Sequence, residues 1–173
     1  GTDHPELKLM EAFMYRHHPQ WVRAKEIADS GEIGTLKTIQ AFFSYHNVDP
    51  DDIRNQPEIG GGGLMDIGCY PISAARFIYG SEPRAVNATI EFDPNFGTDS
   101  YGNVLLEFDA GTASFGYSTR LAPYQRVNIF GTGGRIEIEI PFNAPPDRPC
   151  LVNLQREATV ETIELPVADQ YSL

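Results

Sequence analysis

Ala85-Val86-Asn87-Ala88-Thr89-Ile90-Glu91-Phe92 alternates strictly: Val86, Ala88, Ile90 and Phe92 fall on one side of an extended chain, and Asn87, Thr89 and Glu91 on the other. Side chains of a strand point alternately to its two faces, so this stretch reads as a strand with one apolar face. The period returns at Val104, Leu106 and Phe108, and again at Ile136, Ile138 and Ile140 against Glu137 and Glu139. Val152–Leu154 and Thr159–Leu165 add two short strands. Turns at Asp109-Ala110-Gly111 and Gly131-Thr132-Gly133-Gly134 separate these runs at hairpin distances. Upstream the period is different. Trp21, Val22, Ala24, Ile27 and Ala28 recur every three or four residues, predicting a helix over Pro19–Ser30 that Gly31 and Gly34 terminate. Leu36–His46, rich in β-branched and aromatic residues, reads as a strand, and Asn47–Gly60, with its Asp-Pro and Gln-Pro signals, as a loop. Gly60-Gly61-Gly62-Gly63 opens a second helical stretch that runs to about Tyr79 and closes at Gly80. Leu7–Tyr15 is a short apolar run that reads as a buried strand. Helices followed by consecutive hairpins indicate an α+β fold: an open, mostly antiparallel sheet with helices packed on one face.

The 173 residues are enough for one domain with a sizeable core. Thirteen Lys and Arg against 24 Asp and Glu give a net charge of −11. That balance repels phosphate backbones and anionic lipid, so neither nucleic acid nor a membrane is expected as a partner. No apolar run approaches the ~20 residues that span a bilayer. Cys69 and Cys150 are too few and too far apart for a disulfide framework, and read as reduced thiols of a cytoplasmic protein. The chain begins Gly1-Thr2 and ends Tyr171-Ser172-Leu173 without a natural stop signal, as a fragment of a longer chain would.

Chemistry concentrates in Gly60-Gly61-Gly62-Gly63-Leu64-Met65-Asp66-Ile67-Gly68-Cys69-Tyr70-Pro71. On a helix Asp66 and Tyr70 share a face one turn apart. A carboxylate beside a phenol can orient it and share its proton, a suitable pair for acid/base work on a hydroxyl or carbonyl. The same spacing is equally met by an Asp stabilised near a helix N-terminus and a Tyr packed in the core. Pro71 has no N–H to offer the Ile67 carbonyl, so the helix is expected to be distorted beside this pair. Tyr15-Arg16-His17-His18-Pro19 is a second polar cluster. Adjacent histidines do not share one face and no acidic or Cys partner stands at ligand spacing, so no metal is expected. Gly131–Gly134 precedes an alternating strand rather than a helix, which makes it a hairpin turn and not a phosphate loop. No Gly-x-Ser-x-Gly elbow occurs.

Taken together, several of these segments resemble the C-terminal half of the Gfo/Idh/MocA oxidoreductases, named for glucose–fructose oxidoreductase, inositol dehydrogenase and a rhizopine protein. The matching residues are Glu11-Ala12-Phe13-Met14-Tyr15-Arg16-His17-His18-Pro19, Gly31-Glu32-Ile33-Gly34, and Arg54 followed by Pro57-Glu58-Ile59-Gly60-Gly61-Gly62-Gly63-Leu64-Met65-Asp66-Ile67-Gly68-Cys69-Tyr70. Tyr70, where inositol-type members carry His, is similar to the xylose, dihydrodiol and glucose–fructose branch. Asp169-Gln170-Tyr171 resembles the start of the family's last long helix. The family's Gly-rich dinucleotide fingerprint and its Glu-Lys-Pro motif are absent from this sequence.

The resemblance implies that residues 1–15 hold the last strand of a nucleotide-binding domain and residues 16–173 a substrate-binding and oligomerisation domain. It implies NAD or NADP as cofactor, held mainly by a domain outside this chain, and a sugar, polyol or related diol as substrate. Tyr70 would relay the proton and Asp66 hold the substrate or tune Tyr70. Tyr15, Arg16 and Arg54 would line the substrate or cofactor, though either arginine also reads as a surface ion-pair residue. The isolated chain is then expected to be inactive and to bind dinucleotide poorly. A homodimer or higher homo-oligomer is expected through the open sheet face, where Thr112, Ser114, Gly116 and Ser118 join Leu105 and Phe130 opposite the helix-covering Val104, Leu106 and Phe108. A non-catalytic carbohydrate-binding module and a purely structural assembly module are the alternatives.

Overall fold

A computed structural model describes residues 4, 6–8 and 10–173. Pro19 opens helix α1 (Pro19–Ser30) at a position where its missing N–H costs nothing, and Gly31 ends it in the left-handed conformation. Strand β1 (Leu36–His46) follows, then a loop holding 3₁₀ turns at Ile53–Asn55 and Pro57–Ile59. A π-helical turn, Leu64–Gly68, runs directly into helix α2 (Cys69–Tyr79), which Gly80 closes. The distortion expected beside Pro71 is therefore found, as one widened turn just before the helix that contains the proline. Seven strands complete the chain: β2 (Ala85–Phe92), β3 (Asp99–Phe108), β4 (Gly111–Ser118), β5 (Arg120–Gly131), β6 (Gly134–Ile138), β7 (Cys150–Arg156) and β8 (Thr159–Leu165).

The eight strands form one sheet in the order β2-β3-β4-β1-β5-β6-β7-β8. Every pairing is antiparallel except β1 with β4, so the first strand in sequence lies in the middle of the sheet. Both helices pack on one face: α2 over β1, and α1 against β6 and β7. Trp21, Ala24 and Ile27 of α1 and Ala74, Ala75 and Ile78 of α2 are buried there against Ile39, Leu106, Phe108, Ile129, Ile136 and Val152. Trp21 Nε1 donates to the Pro141 carbonyl at 2.6 Å, so its one polar atom is satisfied in the core.

Several sequence expectations need correction. Leu7–Tyr15 makes no strand among its described residues: Leu7 and Met10 face solvent, and Met14–His17 is a 3₁₀ turn (Leu9 lies outside the described residues). No strand of this sheet pairs with the run, so its backbone bonds close locally, Phe13 N–H to Glu11 and Met14 N–H to Ala12. The apolar side of β2 exists but is not covered, leaving Val86 and Phe92 exposed. Two helices each about 10 Å wide cannot roof eight strands that span roughly 34 Å at ~4.8 Å spacing. Ile140 also lies just past β6, where its carbonyl accepts from Gln20 Nε2 at 2.9 Å.

On the open face, Leu105 stands opposite Ser114 and Asn103 opposite Gly116, as the alternation requires. Ser118 departs from expectation: it is buried, and its hydroxyl donates to the Ser100 carbonyl at 2.9 Å.

Candidate active site

Gly60–Gly63 brings the chain from the loop onto the sheet. A Cβ on Gly62, whose φ is +139°, would collide with the Asp99 carboxylate of β3. That carboxylate accepts from the Leu64 N–H at 2.6 Å and from the Tyr117 hydroxyl at 2.7 Å. The glycines thus allow close approach to β3, and the first free N–H of the widened turn is already held by protein. The turn is anchored, and the side chains that follow it are aimed by that anchor.

Asp66 and Tyr70 both line a cleft of about 730 Å³ at the end of the sheet where β1 leaves and β5 enters. Asp66 is held through both carboxylate oxygens. Its Oδ1 accepts from Arg54 Nε at 2.9 Å and its Oδ2 from the Tyr45 hydroxyl in a short hydrogen bond. Arg54 is itself placed by the loop: Asp52 caps the 3₁₀ turn by accepting from the Arg54 N–H at 2.9 Å, and Asn47 donates to Asp52 at 2.8 Å. Arg120 fixes the same loop from below, donating to Asn55 at 3.0 Å, to the Asn47 carbonyl, and to Asp93 at 2.7 Å. Burial raises the Tyr45 phenol above its ordinary value and the hydrogen bond to Asp66 adds to that, so Tyr45 keeps its proton and donates it.

Tyr70 is different. Its ring packs among Phe13, Tyr15, Phe43 and Phe142, with centroids 5.5–5.8 Å apart. Its hydroxyl meets only the Met14 sulfur, at 3.9 Å, among the described residues. Burial raises its pKa, the Asp66 charge adds slightly, and Arg54 opposes. Sequence spacing pairs Asp66 with Tyr70; the structure gives the carboxylate to Tyr45, a residue that reads from sequence only as part of a strand. The expectation of a carboxylate orienting the Tyr70 phenol directly is thereby corrected. Nothing in the alternation of β1 signals Tyr45, because its partner lies 21 residues away across a loop.

Of the other candidates, Arg54 belongs to the cleft wall. Tyr15 does not line the cleft: it is fully buried behind Tyr70 and donates to the Tyr70 carbonyl at 3.3 Å. Arg16 lies elsewhere, its guanidinium 4.9 Å from the Phe77 ring and beside Ser73 and Arg76. Cys69 and Cys150 are both free, and burial pushes the Cys69 thiol up to about 11, with the Asp66 charge contributing, so it is a poor nucleophile at neutral pH. No cluster of three metal-ligating side chains occurs among the described residues, and none of the helices described is long and apolar enough to cross a membrane.

Residues 21–137 match the profile of the GFO/IDH/MocA C-terminal domain. The chain belongs to this family. An uncharacterized oxidoreductase of Rhizobium meliloti, ORF334, is 42% identical over 96% of this chain and 52% of its own length. D-xylose 1-dehydrogenase (NADP(+)) 2 of Haloferax volcanii is 36% identical over 94% of this chain and 50% of its own. KijD10, a 3-ketoreductase from Actinomadura kijaniata solved in complex with NADP and TDP-benzene, superposes with a TM-score of 0.87 at 31% identity, covering 96% of this chain and 51% of that one. This Gfo/Idh/MocA chain therefore spans about half the length of the curated relatives it matches, and its α+β sheet with helices on one face is the fold of that half.

Proposed function

We propose that this chain is the substrate-binding half of a nicotinamide-dependent oxidoreductase acting on a sugar, polyol or related diol, with Tyr70 relaying the proton. The observation that carries the reading is the Tyr70 hydroxyl, unclaimed by any strong protein partner and opening on a cleft whose neighbouring carboxylate is clamped. A group that exchanges a proton with substrate must not be tied up in the free protein, whereas the groups that position substrate must be.

A bound NAD or NADP would supply the hydride acceptor or donor. The residues of this chain fit the reacting end of such a cofactor, around the Tyr70 hydroxyl, Met14 and Ile67. They do not fit its pyrophosphate, because the Gly60–Gly63 turn leads into an N–H already held by Asp99 and the Gly131–Gly134 turn leads into a strand. That division supports placing the dinucleotide site mainly in a domain outside this chain, and supports weak dinucleotide binding and no turnover by the chain alone. Calorimetric binding of NADP(H) to this chain at low micromolar affinity would overturn it.

With its pKa raised, Tyr70 is a phenol at neutral pH and can protonate a forming alkoxide. In the opposite direction it must accept a proton, which requires a cation nearby in the assembled protein; the lysine of the family's Glu-Lys-Pro motif is the group the resemblance implies. Asp66, locked between Arg54 and Tyr45, positions the substrate and adds a fixed negative charge near the phenol. The open face, with Leu105, Ser114 and Gly116 at its centre, supports assembly as a homodimer or higher homo-oligomer through that face. Reduced Cys69 and Cys150 suit a cytoplasmic location. The deciding experiment is turnover of the full-length protein carrying Tyr70→Phe, which keeps the ring packing and removes the hydroxyl alone.

A further inference from the structure

Free sugars and phosphate-bearing sugars differ in the charge they bring to a site, and this cleft has a marked charge pattern. Among its described lining residues, the carboxylates of Asp52, Asp66 and Glu139 outnumber the guanidinium groups of Arg54 and Arg126. The charge of each guanidinium is offset by carboxylates. Arg54 is held by Asp66 at 2.9 Å and Asp52 at 3.3 Å. Arg126 donates through one nitrogen to Glu137 at 2.7 Å and through another to Glu139 at 3.2 Å. No lysine lines the cleft.

Phosphate recognition needs donors that are not already satisfied, most often an arginine fork or a helix N-terminus. Here each arginine is already paired with two carboxylates, so although Arg54 Nη2 and the buried Arg126 Nε have no partner among the described residues, neither arginine brings net positive charge to the cleft, and the leading N–H of the widened turn is taken by Asp99. A phosphate entering the cleft would lie beside those carboxylates whichever arginine it approached. Neutral hydroxyls meet no such obstacle. The Gln125 side-chain oxygen is used by the Phe142 and Asn143 N–H groups, at 2.9 and 3.2 Å, while its NH₂ has no partner among the described residues and can donate to a hydroxyl. The remaining carboxylate lone pairs of Asp52 and Glu139 accept from hydroxyls. Tyr124, half exposed at the cleft and edge-on to Phe42 at 6.1 Å, offers an aromatic surface for the C–H face of a sugar ring.

Building on the proposed function, we propose that the substrate is an uncharged free sugar or polyol, and that this cleft rejects phosphorylated and nucleotide-diphosphate-linked sugars. Rejection arises from the excess of carboxylates and from the lack, among the described lining residues, of a cation not already paired with one, so it is specificity by exclusion. It sets the chain apart from KijD10, whose solved complex holds TDP-benzene.

Two measurements on the full-length protein test this. Turnover of free aldoses (D-xylose, D-glucose) is compared with that of their phosphates and of dTDP-glucose, and kcat/KM is expected to favour the free sugars by about 100-fold or more, the scale of several kcal/mol of like-charge conflict. Comparable or higher kcat/KM for dTDP-glucose overturns the substrate class and leaves the oxidoreductase reading standing. Absence of nicotinamide-linked turnover with every sugar strikes the oxidoreductase reading instead, and the binding measurement then decides the substrate class. With the dinucleotide site filled by saturating NADP⁺, dTDP is titrated by calorimetry into the wild type and into Glu139→Gln, which releases one side of Arg126. No binding below millimolar dTDP in the wild type, with binding strengthened about threefold or more in Glu139→Gln, supports the exclusion. Micromolar binding of dTDP to the wild type, or no change in the variant, overturns it.

Discussion

Tyr45 and Tyr70 are two phenols lining one cleft, and their surroundings differ in kind. Around Tyr45 the polar groups form a chain of hydrogen bonds: its hydroxyl on Asp66, Arg54 on Asp66 and on Asp52, Asn47 on Asp52. Around Tyr70 there are rings and one sulfur. A closed hydrogen-bond chain gains rigidity and gives up reactivity, because a proton moved from any member leaves a partner unsatisfied. An unclaimed hydroxyl in an apolar nest costs stability and keeps its proton available. The same side chain is therefore a strut in one setting and, under the proposed function, a proton donor in the other.

The contrast is broken most directly at Tyr70. In the full-length protein Tyr70→Phe should lower kcat by about 10²–10⁴-fold with little change in KM, read by steady-state kinetics; near-normal kcat would make Tyr70 a core aromatic. Asp66→Asn should come next. It keeps the shape, removes the charge that holds Arg54 and Tyr45, lowers activity by less than Tyr70→Phe, and shifts the pH–rate profile.

Behind Tyr70, burial raises the pKa of the fully enclosed Tyr15 well above its ordinary 10. Above pH 10 the unfolded phenol loses its proton and the folded one keeps it, so the unfolded state binds fewer protons and stability falls as pH rises. The contribution of Tyr15 to that fall is up to about 1.4 kcal/mol per pH unit. Denaturant melts at pH 10 and 11 should show a shallower fall in Tyr15→Phe than in the wild type.

Tyr45→Phe removes one hydrogen bond from the closed chain and should cost about 0.5–1.5 kcal/mol of stability, with kcat changed less than by Tyr70→Phe. A loss in Tyr45→Phe as large as in Tyr70→Phe would erase the distinction between strut and donor. Arg16→Ala, outside the cleft, should cost about 0.5 kcal/mol through its contact with Phe77 and leave turnover unchanged.

Much of this architecture is written in local pattern. The alternation of Ala85–Phe92 places β2, the run Thr159–Leu165 reads as β8, and Pro19 with Gly31 brackets α1. β5 is harder to read, because Pro123 interrupts Arg120–Gly131 and its exposed first half carries no apolar alternation. The strand order is not local at all: nothing in Leu36–His46 says that its neighbours are β4 and β5. The candidate site divides in the same way. Asp66 and Tyr70 are legible because a helix repeats on a scale of four residues, and Arg54 because it precedes the glycine motif. Tyr45, and the demotion of Tyr15 to a supporting ring, follow from contacts made across 21 and 55 residues, which no periodicity encodes.

The central place of β1 has a further consequence for how the chain is made. Its two partners end only at Ser118 and Gly131, so β1 leaves the ribosome long before either can pair with it. At synthesis rates of about 5–20 residues per second, the 85 residues between His46 and Gly131 take roughly 4–17 seconds. Until β4 is complete at Ser118, an eleven-residue strand rich in Phe, Tyr and Ile has both edges open, and one edge stays open until β5, the condition in which strands find the wrong partner. The sheet closes late and around its oldest strand, which makes the wait for β5 the stage of biosynthesis at which this protein most needs a chaperone.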